Sequence, residues 1–596
     1  MATVTNTRTV TLNAGNYIIT SIPAFNMYGF FNYTNRTNHD MNSSQYLPEN
    51  FNVYTATARQ WSNAFHNRRD LTSIPDYNME NTVNMTNTFH NCQNLTGSIP
   101  NIPNKVTDMS STFYMCINFT GNIPNIPDSV TSMVNTFYNC RNLNGSISNI
   151  PNNVTNMVNT FSGCNKLTGT IPNIPNSVIS MAGTFNSCSN LTGSIPNIPD
   201  SVTNMDSTFF SCINLTGNIP NIPNSVTDMS YTFYWCNKLT GSIPNIPDSV
   251  INIADTFSRC RNLTGNIPNI PNNVTDLRST FYYCNHLTGN IPNIPDSVIN
   301  MASTFYSCRN LTGSISKISN SVTNMDSTFY SCWNLTGSIP EIPNSVVNMH
   351  WTFYDCFNLT GSIPNIPNSV TNMSRTFSDC YNLTGNIPNI PNSVTNMEGT
   401  FSGCRNLIGS IPEIPSNISN MAYTFNNCSN LTGNFPNIPS GVTNLYSTFS
   451  DCSNLTGNVS IIPNGVTSMF RTFYYCEKLQ SKDMYILSNN VSNVSGCFDG
   501  RNNAFMLNIY CYENSTTYNM FSTYLGGTYN ARHNITLVPL TNTPTKHINV
   551  TQPFGGTIYI NGEIVPEGGI DVPTGSDIEL KTVTNDGFDF AEWEGV

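Results

Sequence analysis

Seventeen cysteines stand 24 residues apart in one unbroken series. They are Cys92, Cys116, Cys140, Cys164, Cys188, Cys212, Cys236, Cys260, Cys284, Cys308, Cys332, Cys356, Cys380, Cys404, Cys428, Cys452 and Cys476. Of the chain's 19 cysteines only Cys497 and Cys511 fall outside that register. A fixed period of this length marks a repeat architecture, in which one small unit buries its apolar face only by stacking on copies of itself.

A representative unit runs from Leu215 to Lys238, with apolar anchors at Leu215, Ile219, Ile222, Val226, Met229, Phe233 and Cys236. Taken alone, their three-to-four spacing would suggest a helix. Pro220 and Pro223 oppose that, because each removes an amide donor and clashes with the preceding turn. The residues between the anchors are mainly Asn, Thr, Ser and Gly, which favour turns. The pattern therefore predicts a mainly β, leucine-rich-repeat-like solenoid of about 17 coils, in which like residues stack on like about 4.8 Å apart. An Asn ladder pairing with neighbouring backbone would account for the Asn excess.

The thiols could pack as core residues, form disulfides or bind metal. One Cys per coil gives a row, not the tetrahedral cluster zinc needs, and the seven His residues are scattered. Side chains pointing the same way make poor disulfide geometry, whereas small buried thiols pack well. A reduced structural ladder is the favoured reading, and it suits folding in a cytoplasm. No metal and no cofactor is expected.

The organisation reads as four parts: an N-terminal β-rich cap or anchoring module at 1–60, the solenoid at 61–484, its C-terminal cap at 485–531, and a small β domain at 532–596. In the first, degenerate coil Trp61 takes the Met place, Phe65 the Phe place and Arg68 the Cys place. Val4 to Thr20 suggests a strand pair, and Asn561-Gly562 a hairpin turn, with Phe588, Phe590 and Trp593 as a small core.

Between coils the anchors hardly vary, while the positions around Phe and Cys do. They carry Tyr234, Trp235, Tyr282, Tyr283, Tyr330, Trp333, Trp351, Tyr354, Phe357 and Tyr381. Exposed aromatics give large contact area at low entropic cost, so these residues form a candidate binding face. A chain-to-chain interface and plain coverage of the coil edges stay open as alternatives.

Charged residues are 10% of the chain, with Lys plus Arg 23 and Asp plus Glu 34 for a formal charge of -11. That balance argues against nucleic acid, whose phosphates need basic partners, and no apolar run is long enough for membrane insertion. No paired carboxylates, phosphate loop or nucleophile elbow stands out against the repeat, so no enzyme is expected. The Asn-Leu-Thr triplets, such as Asn190-Leu191-Thr192, read as structural, since the Leu is an anchor.

The phrase Val202 to Gly217 resembles the BspA-type leucine-rich repeats of surface proteins, and Leu191 to Pro196 is similar to those of plant receptors. Gly555 to Gly562 and Phe590 to Gly595 resemble the small β repeats of internalin-like proteins. The resemblance implies an adhesin or ligand binder with no catalytic residues. No export or anchoring signal is legible in the sequence. The expected function is therefore a fibre-like virion attachment protein, with a bacterial cell-surface or secreted adhesin and a purely structural virion decoration as alternatives. Expected partners are a host surface glycan or protein, other virion proteins through a flank, and further copies of the chain.

Overall fold

The structure, a computed structural model, describes residues 60–74, 79–502, 504–530 and 534–540, with the backbone of strands at 545–548, 556–560, 563–564, 570–573 and 580–584. The expected strand pair at Val4 to Thr20, the Asn561-Gly562 turn and the aromatic group Phe588, Phe590 and Trp593 lie outside the described residues. The chain divides into two compact units, 1–298 with 304–310, and 299–303 with 311–596.

In the first unit the repeat closes into a solenoid. All seven anchors of the Leu215 to Lys238 coil are buried. Parallel bridges join equivalent residues of successive coils, from Gln60 with Asn84 to Asp228 with Asn252. Strand content is small. β1 (Gly217–Asn218) pairs in parallel with β2 (Leu239–Thr240), and β3 (Gly265–Asn266) with β4 (Leu287–Thr288). The rest of each coil is turn, and the Met-to-Cys segment shows why. Its residues two before and two after Phe have positive φ, 53° at Tyr231 and 61° at Trp235, which prevents an extended strand.

Hydrogen bonding in that segment alternates. The amides of Met229, Tyr231, Phe233 and Trp235 donate to Asn252, Ala254, Thr256 and Ser258 of the next coil at 2.8–3.0 Å. Those of Thr232 and Cys236 donate back to Met229 and Phe233. Every second amide ties coil to coil, so a buried turn leaves few polar groups unmet.

The polar composition has the same explanation. Ser225 Oγ donates to the Val202 carbonyl at 2.6 Å, Thr227 Oγ1 to Thr203 at 3.2 Å, Thr232 Oγ1 to Met205 at 2.8 Å, and Asn214 Nδ2 to Ser189 at 2.8 Å. The Asn of the Asn-Leu-Thr triplet thus does pair with neighbouring backbone. Asn at the bridge position behaves differently: Asn204 Oδ1 accepts from the Asp206 amide within its own coil.

The second unit repeats this scheme. Phe329 stacks on Phe353 at 5.5 Å, and Thr352 Oγ1 donates to Met325 and Met349. The ring column continues past the last in-register cysteine. Phe498 lies 5.7 Å from Phe473, one residue out of step, with Ser468 bridging Asn493. Cys497 occupies the Thr place of this coil and Arg501 the Cys place, donating to the Phe505 carbonyl at 2.9 Å. In the first unit Arg68 likewise stands in a Cys place and pairs with Asp70, Nε to Oδ1 2.8 Å.

In this part of the chain β5 (Ile461–Ile462), β6 (Asp483–Ile486), β7 (Leu507–Tyr512) and β9 (Ile535–Leu540) run parallel in that order, and β8 (Tyr529–Asn530) pairs antiparallel with β9. Helix α1 (Thr516–Leu525) lies between β7 and β8 in sequence, with Phe521 6.3 Å from Phe498. Farther on, β10 (Thr545–Ile548) pairs with β13 (Ile570–Pro573), and β11 (Gly556–Ile560) lies between β12 (Glu563–Ile564) and β14 (Leu580–Thr584), all antiparallel.

Candidate functional site

Stacking in register turns a position of the repeat into a column of side chains. In the column after Phe, His66, His90, Tyr114 and Tyr138 lie ring on ring at 4.4–4.8 Å. Most candidate aromatics are therefore half-buried against one another. Trp235 is the exception, 44% exposed.

A patch around Trp235 lies in the first unit. Tyr234 stacks on Phe210 at 4.7 Å, with Tyr231 6.1 Å away. The Arg259 guanidinium lies 5.6 Å from the Trp235 ring, 5.4 Å from Tyr282 and 5.6 Å from Tyr283. Arg261 lies 5.5 Å from the same Tyr283 ring, within cation–π range. Asp255 meets Arg278 at 3.6 Å. Burial pushes the Tyr231 phenol above its ordinary value, and the Asp255 charge adds to this.

The second unit holds another patch. Trp333, Phe357 and Tyr381 form a column at 6.0 and 5.2 Å, and the Arg405 guanidinium lies 4.9 Å from Tyr381. Beside it Tyr330 stacks on Tyr354 at 4.7 Å, and Trp351 lies 5.5 Å from Tyr330. The Trp351 Nε1–H is buried without a hydrogen-bond partner. Burial, then Asp355 and Asp379, push the Tyr354 phenol up to about 12. Arg375 pairs with Glu398 at 2.8 Å.

The backbone at these patches is strained. The positive-φ columns mostly carry Asn, Ser, Asp or Gly; at the patches they hold Tyr231, Trp235, Arg259, Tyr283, Trp351 and Arg375, and elsewhere Met115, Tyr423, Arg471 and Tyr475. Bulky residues in that region cost about 1–2 kcal/mol each, and strain of this kind clusters at functional sites. Arg259, Tyr231 and His350, whose ring lies 4.8 Å from Trp351, escape a reading that searches for aromatic runs. The signal for Arg259 is its place: it occupies the same repeat position as Trp235 and Tyr283.

The cysteine column is separate from both patches. All 19 thiols are free and buried. Ladder Sγ atoms point to the Phe carbonyl of the preceding coil, as Cys236 does to Phe209 at 3.1 Å and Cys356 to Phe329 at 3.0 Å. Burial pushes the Cys92, Cys164 and Cys236 thiols up to about 12. Among the described residues no group of three or more His, Cys, Asp or Glu is placed to hold a metal. Shallow clefts in the first unit lie on the proline turns, around Asn197, Ile198, Asn221 and Ile222.

A family model described as "Mycoplasma protein of unknown function, DUF285" matches residues 59–174, 172–270, 203–318, 251–366, 299–414, 323–440 and 395–512. The chain belongs to this family. The DUF285 windows overlap end to end and take in both aromatic patches. No curated protein matches the chain significantly. Among solved structures, a leucine-rich cell surface protein of Faecalibacterium prausnitzii A2-165 is 22% identical, covering 57% of this chain and 88% of its own, with a TM-score of 0.28. The plant peptide hormone receptor RGFR1 in complex with RGF2 is 14% identical over 79% of both chains, at 0.22. TLR13 in complex with ssRNA13 is 14% identical over 78% of this chain and 82% of its own, at 0.16.

Proposed function

We propose that this DUF285 protein is a non-enzymatic cell-surface adhesin that presents the two aromatic patches to ligands on another cell. The observation that carries this reading is the contrast within one repeat. The anchors are nearly invariant from coil to coil, while bulky aromatic and Arg side chains are concentrated at strained positions that neighbouring coils fill with Ser, Asn or Gly. The turn imposes positive φ coil after coil, so what calls for a ligand is the bulk of the residues placed there, which the core does not need. The family is described from Mycoplasma, a cellular organism, which favours a cellular protein over a virion protein. Neither patch offers the enclosed, convergent polar groups that catalysis requires.

Labelling of intact source cells with a membrane-impermeant amine reagent is expected to tag the protein. Recovery only from virus particles would overturn the placement. Purified chain is expected to attach to host cells, and the double variant Trp351→Ser, Tyr354→Ser to attach less well with its fold retained by circular dichroism. Attachment unaltered by patch variants in both units would overturn the binding role.

A further inference from the structure

Arg68 pairs with Asp70, Arg278 with Asp255 and Arg375 with Glu398. Arg405 and Arg471 lie over aromatic rings, and so do Arg259 and Arg261, which share one ring. Both guanidiniums lie within 5.6 Å of the Tyr283 ring, and neither has a carboxylate partner among the described residues. The side chains straddle buried Cys260, and the Arg261 amide donates to the Arg259 carbonyl at 2.9 Å, so one turn of backbone fixes both. Aromatic rings hold the guanidiniums from the side and leave their planar donor edges unused. Two like charges share a small area in a chain whose formal charge is -11. Beside them stands the exposed Trp235 ring.

We infer that Trp235, Arg259, Arg261 and Tyr283 form a subsite for an acidic glycan, a sugar carrying a carboxylate or a sulfate ester. The inference rests on the adhesin reading and names the ligand of its first patch. An anion would relieve the repulsion between the two guanidiniums and accept paired hydrogen bonds from them. The C–H face of a sugar ring would lie on Trp235, an open apolar plane rather than a deep pocket. Nucleic acid also brings anions, but its affinity grows with the number of phosphates neutralised. Two cations in an acidic chain supply little of that.

The test uses the purified full chain against five immobilised probes: a sialylated trisaccharide, a sulfated N-acetyllactosamine, the uncharged parent of each, and a single-stranded DNA oligomer. The chain should bind at least one acidic probe above its uncharged parent, with affinity falling as salt rises. Carboxylated and sulfated arms separate the two anion sources. Arg259→Ser and Arg261→Asn place residues that other coils carry at these positions, such as Ser211 and Asn237, so the fold tolerates them. Each variant should bind about tenfold more weakly, the loss of one charge-assisted pair. Equal binding of charged and uncharged sugars, unchanged affinity in both variants, or preference for DNA would overturn the inference. Attachment to host cells without acidic-glycan binding would overturn it while leaving the adhesin reading in place. Absence of attachment to any cell would remove the adhesin reading itself.

Discussion

The Thr232 hydroxyl lies between two carbonyl oxygens, Met229 at 2.7 Å in its own coil and Met205 at 2.8 Å in the preceding one. It is fully buried, so water cannot replace it. Thr232→Val keeps the shape and removes the donor. Met229 still accepts from the Thr232 amide and Met205 from the Thr208 amide, so the loss is that of an ordinary net hydrogen bond, about 1 kcal/mol, and amide exchange at Phe233 and Thr256 should accelerate by up to about one power of ten. Thr216→Val, at an exposed position, should leave exchange nearly unchanged. The thiols give a second prediction at this scale. Folded protein at pH 8 without reductant should react with almost no aromatic disulfide reagent, and denatured protein should titrate 19 thiols. A lower count on denaturation would mean that some had been oxidised. The anchor residues were legible because burial writes itself as a period. The cross-coil bonds of Ser225 and Thr232 were not, because a hydroxyl's partner depends on which carbonyl stacking brings beside it.

At the scale of the element, α1 closes the second unit's ring column. Ser515 caps it, Oγ accepting from the Tyr518 amide at 3.0 Å, and Gly526 ends it at φ 71°. The Tyr524 hydroxyl donates to Asp499 at 2.8 Å. Ser515→Ala should cost about 1 kcal/mol, seen as faster exchange at Phe498 while distant coils are unaffected. The cap signals, Ser and Gly, stand in the sequence, but Thr516, Thr517, Tyr518 and Thr523 are weak helix formers, which hid the helix. The segment around His66 and His90 is expected to respond to acid. Burial, then the neighbouring His66, push His90 down from 6.5 to about 4. The unfolded segment therefore binds more protons in that window, and the folded form is fully favoured only above it. Exchange around Trp61 to His90 should accelerate as pH falls from 7 towards 4, and His90→Tyr, the residue at Tyr114 in the next coil, should reduce that response.

At the scale of the whole molecule, stability is a sum of coils and nearest-neighbour interfaces. Removing 167–190 joins Lys166 to Leu191 in register, so the shortened chain should fold with all remaining thiols protected. Removing half that stretch, 167–178, should expose the thiols flanking the cut, Cys164 and Cys188, because the columns on its two sides no longer meet. Thiol accessibility reads both outcomes. The same interchangeability reaches the gene. A recombination event between two copies of the repeat yields a product in which each amide still meets its carbonyl, so selection on folding cannot see how many copies a lineage carries. The number of coils is thereby free to drift, and with it the set of side chains offered to a host.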